Sequence, residues 1–228
     1  MKYEMNKIYN EDCLPAMKQI PDKYFEWGIV DPPYGISVNV SMGRRKGDKK
    51  SDYHKFAGKD SEPPTEEYFK ELFRISKNQI IWGANHFISK FAKDSANWVV
   101  WDKKFSNDVS FASAELAWCS LNGTIKIYKQ SPQNFNRIHP TQKPVALYEW
   151  LLKTYAKKGD KILDTHLGSA SSIIACKKLG FEYLGFELDE DYFKSASERI
   201  AKFEAQGNMF DIINEKTKTK QQNMFDTK

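Results

Sequence analysis

Cysteine is scarce in this chain: three among 228 residues, Cys13, Cys119 and Cys176, at no spacing that ligates a metal. That excludes a zinc-held or disulfide-stapled scaffold and leaves the thiols as reduced, structural residues. No run is apolar enough to span a membrane, and Met1-Lys2-Tyr3-Glu4-Met5-Asn6-Lys7 lacks the apolar core of a signal peptide. A cytoplasmic location without a membrane partner is expected. Neither sign of charge dominates. The 35 Lys and Arg against 30 Asp and Glu leave a net +5, so the informative feature is where basic residues cluster. With 40% hydrophobic and 14% aromatic residues, the chain can bury one good core, read as a single domain over 1–206 with a polar tail over 207–228.

The most informative stretch present is Val30-Asp31-Pro32-Pro33-Tyr34-Gly35. Phe25 to Val30 is a short apolar run of the kind that forms a buried parallel strand. The two prolines have fixed φ and no N–H, so they stop the sheet ladder and force a rigid turn at the strand end, where open α/β sheets keep their ligands. The turn gathers the Asp31 carboxylate, the Pro32 carbonyl and the Tyr34 ring. Two acceptors and an aromatic face suit a planar base bearing an amino group, and holding both amine hydrogens favours a pyramidal nitrogen able to attack an electrophile. Alone, these four residues read equally well as a stiff surface turn.

Around this turn the chain alternates. Lys7 to Asp12 reads as a first strand, followed by a helix from Leu14 to Ile20, which places Asp12 at a strand end beside Asp31; a helix N-cap is the competing reading for Asp12. Helical periodicity from Thr65 puts Tyr68, Phe69, Leu72, Phe73 and Ile75 on one face. Strands at Gln79–Gly83, Asn97–Asp102 and Glu115–Ser120, a helix at His86–Phe91 and an edge strand at Ile125–Tyr128 complete a doubly wound pattern. The segment 36–64 interrupts it with Arg44, Arg45, Lys46, Lys49 and Lys50 among small polar residues and aromatics. It reads as a flap that neutralises DNA phosphates, beside the plainer reading of a solvated loop.

In the second half, His139-Pro140-Thr141-Gln142-Lys143-Pro144 precedes an amphipathic helix. Its opening turn offers free N–H groups and a lysine for a carboxylate or phosphate, or is simply a capped helix with a surface lysine. Lys161 to Ser172 then gives a strand, a small-residue turn and a helix, and Tyr183 to Asp189 gives a strand ending in acids. That arrangement binds an adenosine, Glu187 accepting from ribose hydroxyls. The turn lacks G-x-G-x-x-G, and Asp164 would repel a pyrophosphate but attract an amino-acid ammonium group.

In this combination and order the residues resemble the amino-group DNA methyltransferases (N6-adenine or N4-cytosine) of the permuted beta class, which use S-adenosyl-L-methionine. Asp31-Pro32-Pro33-Tyr34 looks like their catalytic motif, Asp164 to Ser172 like their cofactor loop, and Glu187 like their ribose acid. The resemblance spans roughly residues 7 to 203. It implies an α/β fold, a doubly wound and mostly parallel Rossmann-like sheet in permuted order. It also implies catalysis by Asp31, Pro32, Pro33 and Tyr34, with cofactor contacts from Asp12, Asp31, His139, Thr141, Lys143, Asp164, His166, Gly168, Ser169 and Glu187. Thr141 and Lys143 would cap the methionine end and Asp12 would approach the adenine. The implied reaction is methylation of adenine N6 on a flipped base in double-stranded DNA. Asp31 leans to adenine because N4-cytosine relatives more often carry serine there, and no cysteine has the Pro-Cys setting of a cytosine-ring enzyme. N4-cytosine, RNA or protein acceptors, and a non-catalytic DNA-binding module, are the rival readings.

Two departures from the family stand out. Its loop usually reads Asp-Pro-Phe-x-Gly-Ser-Gly, whereas this chain has Thr165, His166 and Ala170, the last expected to tighten the turn. Target recognition is squeezed into 121–138, so Lys126, Lys129 and Arg137 are expected to share it with the loop at 36–64 or with a second subunit, and the resemblance admits a homodimer. The tail repeats Asn-Met-Phe-Asp at 208–211 and 223–226. With Gln206, Met209 and Phe210, then Gln221, Met224 and Phe225, it looks like peptides that dock on a bacterial sliding clamp; chance in a Gln-rich tail is the alternative.

Overall fold

The computed structural model describes residues 2–36, 62–105, 112–132, 138–139 and 141–206. Its strands are β1 (Lys7–Asn10), β2 (Phe25–Val30), β3 (Ser76–Trp82), β4 (Trp98–Asp102), β5 (Ala114–Cys119), β6 (Lys126–Lys129), β7 (Lys161–Asp164) and β8 (Glu182–Glu187). The helices are α1 (Cys13–Met17), α2 (Glu66–Ile75), α3 (Val145–Tyr155), α4 (Ser171–Leu179) and α5 over 190–206. The eight strands form one sheet in the order β1-β8-β7-β2-β3-β5-β4-β6. Only β5 runs against its neighbours. The mostly parallel α/β sheet expected from the sequence is what forms.

Strand alternation sorts side chains into two cores. Trp27, Ile29, Ile80, Trp82, Ile162 and Tyr183 point to one face, beneath Leu147 and Leu151 of α3, Ile173 of α4 and Ile200 of α5. Val30, Ile81, Leu163, Leu184 and Phe186 point to the other, against Met17 of α1 and Leu72 and Ile75 of α2. α2 begins where the Thr65 hydroxyl accepts from the Tyr68 N–H, with Glu66 and Glu67 favourably placed at its positive end.

The crossovers set the site. From β7 the chain passes through α4 to β8 on one side, and from β2 through α2 to β3 on the other. The order therefore switches between β7 and β2, whose pairing is Trp27 with Ile162 and Gly28 with Leu163. A crevice at that switch point, outside the carboxyl ends of the strands, is where such sheets bind ligands.

Two expectations need correction. Asp12 does not lie beside Asp31, because β1 pairs only with β8 at the sheet edge, Asn10 opposite Glu187, and β8 and β7 intervene before β2. The segment His86–Phe91 is not an α-helix but part of two 3-10 turns, Ala84–His86 and Ile88–Lys90. So short a run cannot repay helix nucleation, and the left-handed Gly83 at φ +66° sets a tight turn instead.

Candidate active site

Four acidic residues follow successive strand ends along one edge of the sheet: Asp12 after β1, Glu187 ending β8, Asp164 ending β7 and Asp31 after β2. Asp12 is the N-cap of α1, its carboxylate accepting from the Leu14 N–H at 2.9 Å. Glu187 accepts from the backbone N–H of Gly168 at 2.8 Å and of Asp189 at 3.0 Å. Gly168 sits at φ +48°, where its N–H is free to meet that acid.

Asp164 is the acid under most stress. It is 2% exposed and accepts from the His166 N–H at 3.0 Å and from the Ser172 hydroxyl. Among the described residues it has no ion-pair partner. Burial, with Asp31 and Glu187 adding repulsion, outweighs those hydrogen bonds and raises its carboxyl to about 7. A cationic ligand would relieve that cost, so this crevice fits the ammonium-bearing end of the expected cofactor.

The loop after β7 is built from the substitutions that mark this chain. The Tyr68 hydroxyl of α2 bonds Thr165 Oγ1 at 2.6 Å, and Thr165 Oγ1 bonds His166 Nδ1 at 2.9 Å. Burial holds the His166 imidazole down to about 4, hence neutral. Ala170 adopts φ +56° and caps α4, a left-handed conformation costing an L-residue about 1–2 kcal/mol. Arg199 of α5 secures the turn on either side, donating to Ser169 O at 2.5 Å and to Ser171 Oγ at 3.0 Å. His139 lies over this loop, 3.5 Å from where a Cβ on Gly168 would be, and Thr141 Oγ1 is 3.1 Å from His139 Nδ1.

Across the switch point the turn from Asp31 to Tyr34 is not open. The Tyr34 hydroxyl donates to Asp31 Oδ1 at 2.8 Å, and Lys143 Nζ, only 2% exposed, donates to Asp31 Oδ2 at 2.5 Å. Lys143 also bonds Glu115 Oε2 at 3.0 Å and the Tyr34 hydroxyl at 3.1 Å, while Lys103 holds Glu115 Oε1 at 2.7 Å. The Lys143 ammonium, which the resemblance assigns to the cofactor's methionine end, lies among these oxygens. Burial raises the Asp31 carboxyl despite Lys143. Burial also pushes Glu115 up, but Lys143 and Lys103 together overcome it and bring Glu115 down to about 2. A buried ion-pair network adds little to folding over apolar packing, which makes this cluster a candidate for chemistry.

Tyr34 owes its seat to Gly83. A Cβ there would stand 2.1 Å from the ring, whose face stacks on His86 at 5.2 Å between centroids. Gly83→Ala combines that clash with left-handed strain and should lower turnover roughly tenfold or more, because misplacing a reacting group by about 1 Å is that costly. Rate and melting temperature measured together would show it; an unaffected rate would separate the Tyr34 position from function.

Glu115, Lys103, Gly83, His86, Tyr68 and Arg199 escaped the sequence reading. The available signal was an acid or glycine at the end of an otherwise apolar strand, as in Trp82-Gly83 and Glu115-Leu116. Lys126 and Lys129 are exposed on β6. Arg44, Arg45, Lys46, Lys49, Lys50, Arg137, Met209, Phe210, Gln221, Met224 and Phe225 lie outside the described residues, and Gln206 is the last residue of α5. No described helix is long and apolar enough to cross a membrane.

A family model described as DNA methylase matches residues 27–198. The type II methyltransferase M.HinfI of Haemophilus influenzae is 24% identical over 264 residues, covering 92% of this chain and 72% of its own. Among solved structures, the complex of M1.HpyAVI with SAM aligns at a TM-score of 0.57 and 20% identity, over 85% of this chain and 98% of its own. The cytosine-N4-specific PvuII DNA methyltransferase aligns at 0.57 and 11% identity, over 86% and 90%.

Proposed function

Because the chain belongs to the DNA methylase family that modifies amino nitrogens, we propose that its acceptor is the N6 amino group of adenine in double-stranded DNA, reached by flipping the base. The chain is an amino-group DNA methyltransferase and S-adenosyl-L-methionine is its cofactor. When bound, the cofactor supplies an electrophilic methyl group.

The chain's own residues do the rest. Asp164, buried with no ion-pair partner among the described residues, takes the cofactor's ammonium, and Glu187, fixed by the Gly168 and Asp189 N–H groups, keeps lone pairs for ribose hydroxyls. Asp31 and the Pro32 carbonyl accept the two N–H bonds of the target amine, and the Tyr34 ring stacks on the base. Rate comes from alignment and from acceptors aimed at the charge that develops on nitrogen. Asp31, its proton affinity raised by burial, is the base at hand for the proton the amine sheds.

The observation that carries the adenine assignment is the Asp31 carboxylate at the end of β2. The fold is shared with the cytosine-N4-specific PvuII enzyme, which supports an N4-cytosine acceptor as the second reading. Incubation with labelled S-adenosyl-L-methionine and unmethylated DNA, followed by digestion to nucleosides, is expected to return N6-methyladenine. N4-methylcytosine would move the assignment to the other base, and label on RNA or protein alone would overturn it.

A further inference from the structure

The cage around Lys143 Nζ has three oxygens within hydrogen-bond reach: Asp31 Oδ2 at 2.5 Å, Glu115 Oε2 at 3.0 Å and the Tyr34 hydroxyl at 3.1 Å. A buried ammonium surrounded by acceptors has the charge and the tetrahedral shape that an amine acquires as it is methylated. Lys143 thus occupies, in the base-free protein, the place on Asp31 that the target amine requires. Each oxygen of Asp31 already holds a donor, Oδ1 the Tyr34 hydroxyl and Oδ2 the ammonium, so an incoming amine competes with both for the carboxylate. For a base to enter, both donors must find another acceptor without leaving a buried polar group unpaired, a fault that costs about 1–3 kcal/mol and more for a charge.

Glu115 Oε2 is that acceptor. It is already 3.0 Å from Lys143 Nζ and 3.3 Å from the Tyr34 hydroxyl, so both can settle on it by small side-chain movements. Its other oxygen is pinned by Lys103 at 2.7 Å, which fixes the carboxylate from the far side. It arrives on β5, the one antiparallel strand, whose register with β4 places Glu115 opposite Trp101, two residues before Lys103. We infer that Glu115 is a positioning residue for base entry, receiving Lys143 and the Tyr34 hydroxyl when the target amine replaces them on Asp31. This rests on the amino-methylation reading above. The low proton affinity of Glu115 fits the role, since the acceptor stays anionic while it holds the lysine.

The test is a double-mutant cycle on the full chain with labelled S-adenosyl-L-methionine and unmethylated DNA. Glu115→Gln keeps size and one acceptor but loses the charge that draws Lys143 away, and should lower kcat/KM for DNA at least tenfold with cofactor affinity by calorimetry within twofold. Lys143→Met is itself slowed through loss of the charge on Asp31, but in that background Glu115→Gln should add less than twofold, since nothing remains to be relocated. Glu115→Asp, which draws the carboxylate back by one methylene, serves as the second variant if the glutamine form melts early, with the same non-additivity. Effects at 115 and 143 that multiply independently, an E115Q enzyme within twofold of wild type, or a parallel loss of cofactor binding would each overturn the inference while leaving methylation intact. A wild-type protein that binds cofactor but labels no nucleoside would overturn the function and the inference together.

Discussion

Asp31→Asn is expected to cut methyl transfer to DNA by on the order of 10²–10³-fold, the usual effect of losing one preorganised partner of transition-state charge, with cofactor affinity changed only a few-fold. The substitution preserves shape. It leaves Oδ1 to accept from the Tyr34 hydroxyl but presents an amide N–H₂ to Lys143, donor against donor, so the ammonium falls back on Glu115 and the Tyr34 hydroxyl. The target amine then meets a neutral acceptor in place of an anion, and the proton it sheds has lost its nearest base. Single-turnover rates with labelled cofactor would measure the loss, and calorimetry would show whether the cofactor site survives. A variant at the wild-type rate would remove Asp31 from the chemistry, whereas equal loss of binding and rate would make it a cofactor residue first.

Asp164→Asn should act oppositely on binding and on stability. Asparagine can still accept from the His166 N–H and can donate to the Ser172 hydroxyl, so the loop need not move. What disappears is a buried negative charge. Charged hydrogen bonds contribute about 1.5–3 kcal/mol, so affinity for S-adenosyl-L-methionine should fall roughly 10- to 100-fold. The cofactor-free protein should become more stable. Asp164 is raised to about 7 in the folded state, above an unfolded value of about 3.9. The folded chain therefore binds the extra proton between those values, and this residue's contribution to stability is present below about pH 4 and lost as pH rises through about 7. The stability advantage of Asp164→Asn over wild type, followed by denaturant unfolding, should grow from pH 4 to 7 and then level off, at roughly 2–4 kcal/mol. For the same reason, wild-type affinity for the cationic cofactor should strengthen as pH rises through about 7, and the variant should lack that slope. A variant that melts with wild type at pH 8 would show that the charge is already compensated.

Much of this arrangement could be read from the chain because its causes are local. The apolar run before Asp31, the small-residue turn after Asp164 and the acid at the end of the following strand each declare themselves within about ten residues. What escaped the reading depends on pairings between distant segments. The crossover from β1 to β2 leaves no trace of the two strands lying between them, so Asp12 was placed beside Asp31 when it lies beside Glu187. Lys143 meets Asp31 across 112 positions of chain, and the lysine's neighbours describe only a helix entry. Glu115 depends on β5 running antiparallel, and a strand's periodicity is the same in either direction. Gly83 shows its purpose only once the Tyr34 ring is seen above it.

The row of acids from Asp12 through Glu187 and Asp164 to Asp31 also sorts what can come near. A phosphate brought to this edge meets like charge at each strand end, and the field is strengthened where the walls are apolar. A polyanion can lie across the mouth only where lysines answer it, as Lys126 and Lys129 do on the far edge strand, four strands from β2. The charges along this edge therefore disfavour a phosphate there and favour an uncharged or cationic group. A negatively charged nucleotide is expected to compete poorly for it.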